Sequence, residues 1–384
     1  MPGRGDVKKS LPSTAGHWET RLIGVIVVAL VAVGIIAVYG ASSVLAVREY
    51  DSGSHFALQQ LQGAVLGIVA LLVVTRIDYH VWRKYAWPML AVASVLLLIL
   101  LLPFMSFMTH KVNEATRWLS VGSARFQPSE LAKFAVIVWV AMLAAKKGNK
   151  VREFKSGLVP FLVIVSPICL LILLEPDLST ACLVFLLAGI ILFTAGAKIG
   201  HFLLVGVVAL PFVYNEIGRV GYRLRRWLTF LDPTEDADAS WQIQQSLIGF
   251  GSGGLLGVGF GHGSQKLGHL PLAHSDFIFS TIGEEWGFVG ATVIVFFYVA
   301  LITLGFRVAR TAPDRFGMLL ATGITALLGV TALTHIAVNL AIVPTTGLPL
   351  PFISHGRSSL LVSLFSIGVL INIGNSRFRT GKRQ

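Results

Sequence analysis

Charge is scarce in this chain. Acidic and basic residues together make up 13% of its 384 positions, against 54% hydrophobic ones, and the mean hydropathy is +0.75. So little polar surface cannot cover a soluble globule of this size, which excludes a soluble fold and implies an integral membrane protein. Cysteine is nearly absent. Cys169 and Cys182, the only two, lie in apolar stretches without metal-ligand spacing, so a zinc site and a disulfide framework are excluded and buried free thiols are expected. No G-x-x-x-x-G-K-[ST] run occurs, which removes the phosphate-gripping P-loop. Repeats in the roughly 20–50-residue range are also missing, so the chain reads as one domain.

What is present is a succession of apolar runs. A hydrocarbon core ~30 Å thick takes about 20 apolar residues in helical form, and a spanning backbone must pair internally, so each span is a helix. Ten runs qualify, at 21–46, 57–76, 87–103, 129–145, 158–174, 178–196, 199–218, 284–306, 316–340 and 352–373. The expected fold is therefore an all-α integral membrane protein of ten transmembrane helices, with a long extracellular loop over 227–283 between the seventh and eighth. Residues 1–20 are the expected cytoplasmic tail, 21–374 the transmembrane domain and 375–384 a basic cytoplasmic tail. The run opened by Arg21 exceeds the ~7–15-residue core of a cleavable signal and reads as a retained span.

The net charge of +12 is not gathered into one patch, which argues against nucleic acid as a partner. Arg4, Lys8 and Lys9, then Arg76, Arg83 and Lys84, the Lys146–Lys155 cluster, Lys198, Arg307, Arg310 and Arg315, and the basic C-terminus all fall on one side of a ten-span chain. By the positive-inside rule that side is cytoplasmic, and both termini lie there. The quartet Arg219, Arg223, Arg225 and Arg226 is the exception. At the outer end of the seventh span it would meet anionic headgroups or a bound phosphate, or simply snorkel to the interface.

The polar motifs fall on the opposite side. In FQPSELAKF (126–134), Pro128 and Ser129 suit a helix start, and Glu130 and Lys133 share a face one turn apart. They are either a functional pair, Lys133 facing an anionic ligand, or a structural ion pair between helices. Arg117 and Trp118 precede them and suit the membrane interface. In EPDLSTA (175–181), Asp177 suits the N-cap of the sixth span, and a second role at a cationic site stays open.

Gly249 to Gly263 holds eight glycines. Their G-x-G-x-x-G spacing follows no strand, so a dinucleotide loop is rejected; an anion cradle of backbone amides and a plain flexible loop both remain. HSDFIFSTIGEEWGFVG (274–290) sets Asp276 among aromatic and aliphatic neighbours. Such surroundings raise a carboxyl pKa toward that of a general base working near neutral pH. Adjacent His, Ser and Asp are not a catalytic triad, because adjacency is not triad geometry. PTTGLPLPFISHGRSSL (344–360) is a proline- and glycine-broken entry to the last span, tolerated where protein or a cavity covers it. His335 and Asn339, one helical turn apart, are explained by interhelical hydrogen bonds.

Taken together, FQPSELAKF, EPDLSTA, QQSLIGFGSGGLLGVGFGHGSQKLGHLP (244–271), HSDFIFSTIGEEWGFVG and PTTGLPLPFISHGRSSL resemble the SEDS family (shape, elongation, division and sporulation) over nearly the whole chain. PTTGLPLPFIS and EPDLSTA are more like the division branch, FtsW, than the elongation branch, RodA. The resemblance implies a peptidoglycan glycosyltransferase that polymerises lipid II, a polyprenyl-diphosphate-linked disaccharide peptide, at the outer face of the bacterial plasma membrane. It implies a class B penicillin-binding protein as crosslinking partner, other division or elongation proteins and membrane lipid as further partners, and the division septum as location.

The family's essential aspartate falls on Asp276, as catalytic base. Trp118, Glu130, Lys133, Lys266 and Ser354 occupy other motif positions and are the expected substrate-binding residues. Direct displacement with inversion needs one carboxylate. The leaving diphosphate calls for cations, from Lys133, Lys266, the arginine quartet or a divalent ion such as Mg2+ or Mn2+; no cofactor is otherwise implied. His355 and Arg357 depart from the family pattern of tyrosine and glycine, and Arg357 would meet phosphate or pair with Glu284. A lipid II transporter, to which buried charges and a broken helix also belong, is the rival from another class. A non-catalytic division scaffold is a third reading.

Overall fold

The structure is a computed structural model, and it describes residues 18–102, 109–112, 115–121, 124–219, 221–231, 237–268 and 270–380. Arg4, Lys8, Lys9, Lys382 and Arg383, and much of the connection 103–123, lie outside the described residues.

Each expected span has a helix. In chain order they are α1 (Trp18–Tyr50), α2 (His55–Val74), α3 (His80–Leu101), α4 (Pro128–Lys147), α5 (Val159–Leu174), α6 (Leu178–Thr194) and α7 (Ile199–Arg219). After α8 (Gly221–Leu231) and α9 (Ala237–Gly253) come α10 (Ile278–Arg310), α11 (Arg315–Asn339) and α12 (Arg357–Thr380). Among the described residues, nine of these are long and apolar enough to cross a membrane; α6 is apolar but only 17 residues long.

Their ends follow local chemistry. Pro128 opens α4, where a missing N–H costs nothing. Asp177 caps α6 by accepting from Thr180 N at 3.1 Å. Asp314 caps α11 by accepting from Phe316 N and Gly317 N, each at 3.2 Å.

Three features depart from the sequence expectation. The connection before α4 carries a three-stranded antiparallel sheet of β1 (Thr109–Val112), β2 (Ala115–Val121) and β3 (Ala124–Phe126). Pairing satisfies backbone groups that a bare loop at the membrane surface would leave open. The stretch 227–283 is not one long loop: α8 and α9 fill its first half, and α9 packs on α10. Cys169 is a buried free thiol as expected, but Cys182 points out of the bundle.

The core gathers around α4, which packs on α3, α6, α11 and α12, while α12 pairs with α2. Phe134 of α4 meets Phe365 of α12 edge-on at 5.1 Å. α7 lies outside this core, with no buried residue.

The alternation of helices sorts the connections onto two ends. One end carries the starts of α2, α4, α6, α10 and α12. The other carries the starts of α3, α5, α7 and α11, and the expected basic clusters after α2, α4, α6 and α10 fall there. It is tied together by Arg315, which donates to Gly148 O at 3.3 Å and Ala195 O at 2.7 Å. Tyr79 also donates its hydroxyl to Asp314 there.

Candidate active site

All the polar motifs of the sequence meet at the first of these ends, and Asp276 has the most elaborate mounting. A tight turn precedes α10: Ser275 N and Asp276 N both donate to Leu272 O at 3.0 Å, and Leu272 takes a positive φ of 56°. That left-handed backbone is costly for leucine and persists only where surroundings impose it.

Two side chains impose it. Asn339, at the end of α11, donates to Asp276 O at 3.0 Å and accepts from Ser280 N at 3.0 Å, so one amide spans the helix start. Ser354 donates to Ser275 O at 2.7 Å while accepting from Leu350 N at 2.8 Å. His355 N adds a bond to His274 O at 3.0 Å. The broken segment 341–356 is thereby laced to the aspartate turn. Gln60 of α2 holds it from behind, donating to Ser354 O at 3.1 Å.

The Asp276 side chain is half-buried and faces Gly347, where an added Cβ would lie 3.8 Å from Oδ2. Loss of water raises its pKa above the ordinary carboxylate range, against the opposing pull of Arg226, the Ser275 hydroxyl and Arg117. Arg226, from α8, is anchored by a 3.3 Å bond to Thr345 O. Arg117, on β2, lies across the turn before α6, donating to Glu175 O at 3.2 Å and to Pro176 O. Beneath it Glu175 is 1% exposed, with neither carboxylate oxygen hydrogen-bonded. Burial pushes its pKa up to about 9, Asp177 adds to that and Arg117 opposes it.

His274 and His355 stand 5.5 Å apart, both against Phe56. Burial lowers them to about 4 and about 3, the latter also through His274, Arg357 and His55. Both are neutral near pH 7.

The expected substrate cations are placed differently from Arg226. Lys133 is buried in the first turn of α4, 2.8 Å from Glu130. Lys266, in a 3-10 turn at Gln265–Leu267, is buried 2.7 Å from Glu285. Each is thus taken up by a carboxylate, and among the described residues Arg226 and Arg117 are the cations that hold the Asp276 pKa down. Trp118 follows Arg117 on β2, half-buried, with its backbone paired to His110. Of the arginine quartet, Arg219 pairs with Glu216 at 3.2 Å, and the side chain of Arg223 lies outside the described residues. Glu284 accepts from Ser264 N at 2.7 Å and Ser264 Oγ at 2.9 Å, which occupies the carboxylate considered for Arg357.

The glycine run turns out to repair a helix. α10 breaks at Gly287, with φ 68° and ψ −168°. Val258 N and Gly259 N donate to Glu284 O and Glu285 O at 3.0 and 3.1 Å, and Phe288 N and Val289 N donate to Gly254 O and Leu255 O at 2.9 and 3.1 Å. The inserted 254–259 segment completes the interrupted ladder, as irregular backbone at membrane depth requires. A Cβ at Gly257 would lie 2.1 Å from Glu285 O, so only glycine allows this approach.

Among the described residues no group of three or more His, Cys, Asp or Glu could hold a metal ion, and the charged neighbours that act on the Asp276 carboxyl are Arg226 and Arg117.

Sequence reasoning passed over Asn339 and Arg117, assigning them to helix packing and the interface. It missed Gln60 altogether, since a lone glutamine in an apolar run carries no signal of its partner 294 residues away.

Fold and site together define a multi-pass helical membrane protein with a mounted carboxylate and two arginines at one end. The chain belongs to the cell cycle protein family of FtsW, RodA and SpoVE, whose family model matches residues 20–378. It is 43% identical over 347 residues to a probable peptidoglycan glycosyltransferase FtsW of Geobacter sulfurreducens, covering 90% of this chain and 92% of that one. It is 36% identical over 353 residues to stage V sporulation protein E of Bacillus subtilis, covering 92% and 96%. Among solved structures, a chain from work on coordination of polymerization and crosslinking by a peptidoglycan synthase complex superposes with TM-score 0.75 at 26% identity, covering 93% and 98%. Thermus thermophilus RodA superposes with TM-score 0.68 at 25% identity, covering 93% and 96%.

Proposed function

We propose that this chain is a peptidoglycan glycosyltransferase of the FtsW branch, polymerising lipid II with Asp276 as general base. The observation that carries the reading is the mounting of Asp276. Asn339 holds its backbone carbonyl and Ser354 that of the preceding Ser275, from two other elements, and its side chain lies within the fields of Arg226 and Arg117.

A half-buried carboxylate with a raised pKa holds a proton more readily than a solvated one, which suits proton abstraction from a sugar hydroxyl. Asp276 takes that proton as the hydroxyl oxygen attacks the anomeric carbon of the donor. The bond from that carbon to the diphosphate oxygen breaks, and the polyprenyl diphosphate leaves with both electrons. Arg226 and Arg117 stabilise the charge that develops on it. The proton then passes from Asp276 to solvent, restoring the base. No step is routed through a metal ion. Trp118, Glu130, Lys133, Lys266 and Ser354 complete the substrate-binding set, Lys133 and Lys266 through paired charges that shape the site.

In the same reading the Asp276 end faces outward and the basic end is cytoplasmic, with both termini there. The enzyme works in the bacterial inner membrane at the division septum with a class B penicillin-binding transpeptidase and other division proteins. Family membership and the FtsW-named relatives support this assignment. The relatives named as peptidoglycan glycosyltransferases favour polymerisation over the rival transport reading.

The test is polymerisation of purified lipid II by the reconstituted chain with its transpeptidase partner. Asp276→Asn should make no polymer while retaining normal thermal unfolding; full-length glycan from that variant would remove the base assignment. Lipid II uptake into vesicles without polymer would favour transport.

A further inference from the structure

A cavity lies at the basic end, away from Asp276. The 3-10 turn Gly148–Arg152 and the π-helical turn Phe154–Leu158 fold over the end of α4 and face the α6–α7 connection. Between them is a space of ≈ 870 Å³ bordered by Asn149, Arg152, Glu153, Phe154, Lys198 and His201. That volume is on the scale of organic-ligand sites, ~300–1,000 Å³, and far more than a bare ion needs.

Its two walls are joined. Arg315 holds Gly148 O on one side and Ala195 O on the other. Lys147 donates to Ser156 O, and Ser156 donates to Glu153, so the lining carboxylate is already engaged. Arg152 and Lys198 keep exposed cationic ends. His201 Nδ1 is buried without a hydrogen-bond partner, its ring edge-on to Phe154 at 5.4 Å.

The rim away from the turns is apolar. Phe193, Ile199 and Leu203 are 58%, 66% and 66% exposed, and α7 buries none of its residues against the chain. A cationic chamber at headgroup level that opens onto bare hydrocarbon-facing surface has the two-part chemistry of one ligand class.

We propose that this cavity binds the phosphodiester headgroup of an anionic phospholipid, with its acyl chains lying along the exposed flank of α6 and α7. Arg152 and Lys198 supply the charge, and Asn149 and His201 Nδ1 supply directional hydrogen bonds. Free phosphate shares the headgroup's chemistry but gains nothing from the apolar rim.

Native mass spectrometry of the full chain in neutral detergent, after exchange into phosphatidylglycerol or phosphatidylcholine, tests this. The wild type should retain phosphatidylglycerol over phosphatidylcholine, and the double variant Arg152→Ala/Lys198→Ala should lose roughly tenfold in retention. Arg83→Ala/Lys84→Ala, which removes two cations at the same end but outside the cavity, should retain it as the wild type does. Both substituted cavity residues are exposed, so thermal unfolding should be unchanged; if it is not, Lys198→Glu alone is used and should lose retention as well.

Equal retention of the two lipids would overturn the proposal. So would an equal loss in the Arg83/Lys84 variant, which would mean a diffuse basic surface only. Displacement of phosphatidylglycerol by millimolar inorganic phosphate would assign the cavity to a soluble phosphate instead.

Discussion

The two ends of the bundle treat charge in opposite ways. At the Asp276 end exposed charges such as Arg48, Arg125 and Arg225 surround a buried set in which each group has its own partner: Glu130 with Lys133, Glu285 with Lys266, Glu284 with the Ser264 amide and hydroxyl. At the basic end, Lys146, Lys150, Arg152, Lys155 and Lys198 stand in solvent. Solvated cations keep ordinary chemistry and act together, as a topological signal and an attraction for anionic lipid. Withdrawn groups act singly, because burial leaves each one dependent on the partner it has. The difference teaches that catalytic acidity and membrane orientation are separate uses of the same residue types, divided by burial.

Four substitutions break or sharpen this contrast. The largest effect belongs to Asp276→Asn, which removes the proposed general base. Polymerisation should fall by roughly 10²–10⁴-fold or more, measured as glycan formed per unit time. Next is Lys266→Met. It leaves the Glu285 carboxylate buried and unpaired at a cost of about 3–5 kcal/mol, and the double variant Lys266→Met/Glu285→Leu should recover most of that loss. A denaturation series in mild detergent reads both, whereas Lys150→Ala at the basic end should change stability by no more than about 0.5 kcal/mol.

Arg226→Ala withdraws the strongest pull holding the Asp276 pKa down. Activity should rise with pH as Asp276 ionises in both proteins, and the rising limb of the variant should lie at higher pH and reach a lower plateau. The smallest effect is that of Glu175→Gln. Glu175 moves from 4.5 in a solvated chain to about 9 in the fold, so the folded state holds a proton that the unfolded chain releases. Its contribution to stability is therefore fully present below about pH 4.5 and is lost as pH climbs to about 9. The glutamine variant should flatten that decline, and thermal unfolding midpoints across the range would show whether it does.

The spans were legible because hydrophobic length is a local property, and all ten expected runs carry helices. Asp276 and Ser354 stood out through their motifs, and the structure links them through the Ser275 carbonyl, to which the Ser354 hydroxyl donates. The sheet before α4 was not, since short strands in a polar connection have no distinctive period. Nor was the role of the glycines between Gly254 and Gly259, because the ladder they complete belongs to a helix that begins at Ile278. The Glu130–Lys133 pair was legible from its spacing, whereas Lys266 read as a cation for a diphosphate until Glu285 came into view as its partner. Asn339 read as a packing residue although its amide sets the turn that presents the base.

The sequence by itself determined that this is a membrane protein, where its apolar helices run, which connections share an end and where the candidate base lies. Each of these follows from hydrophobic length, charge bias or contiguous motif, which neighbouring residues carry together. Only the tertiary structure decided which cations remain available to Asp276, which carboxylates are neutralised and what the glycine run is for. Those depend on groups dozens to hundreds of residues apart meeting within hydrogen-bond distance, at depths where water no longer levels their energies.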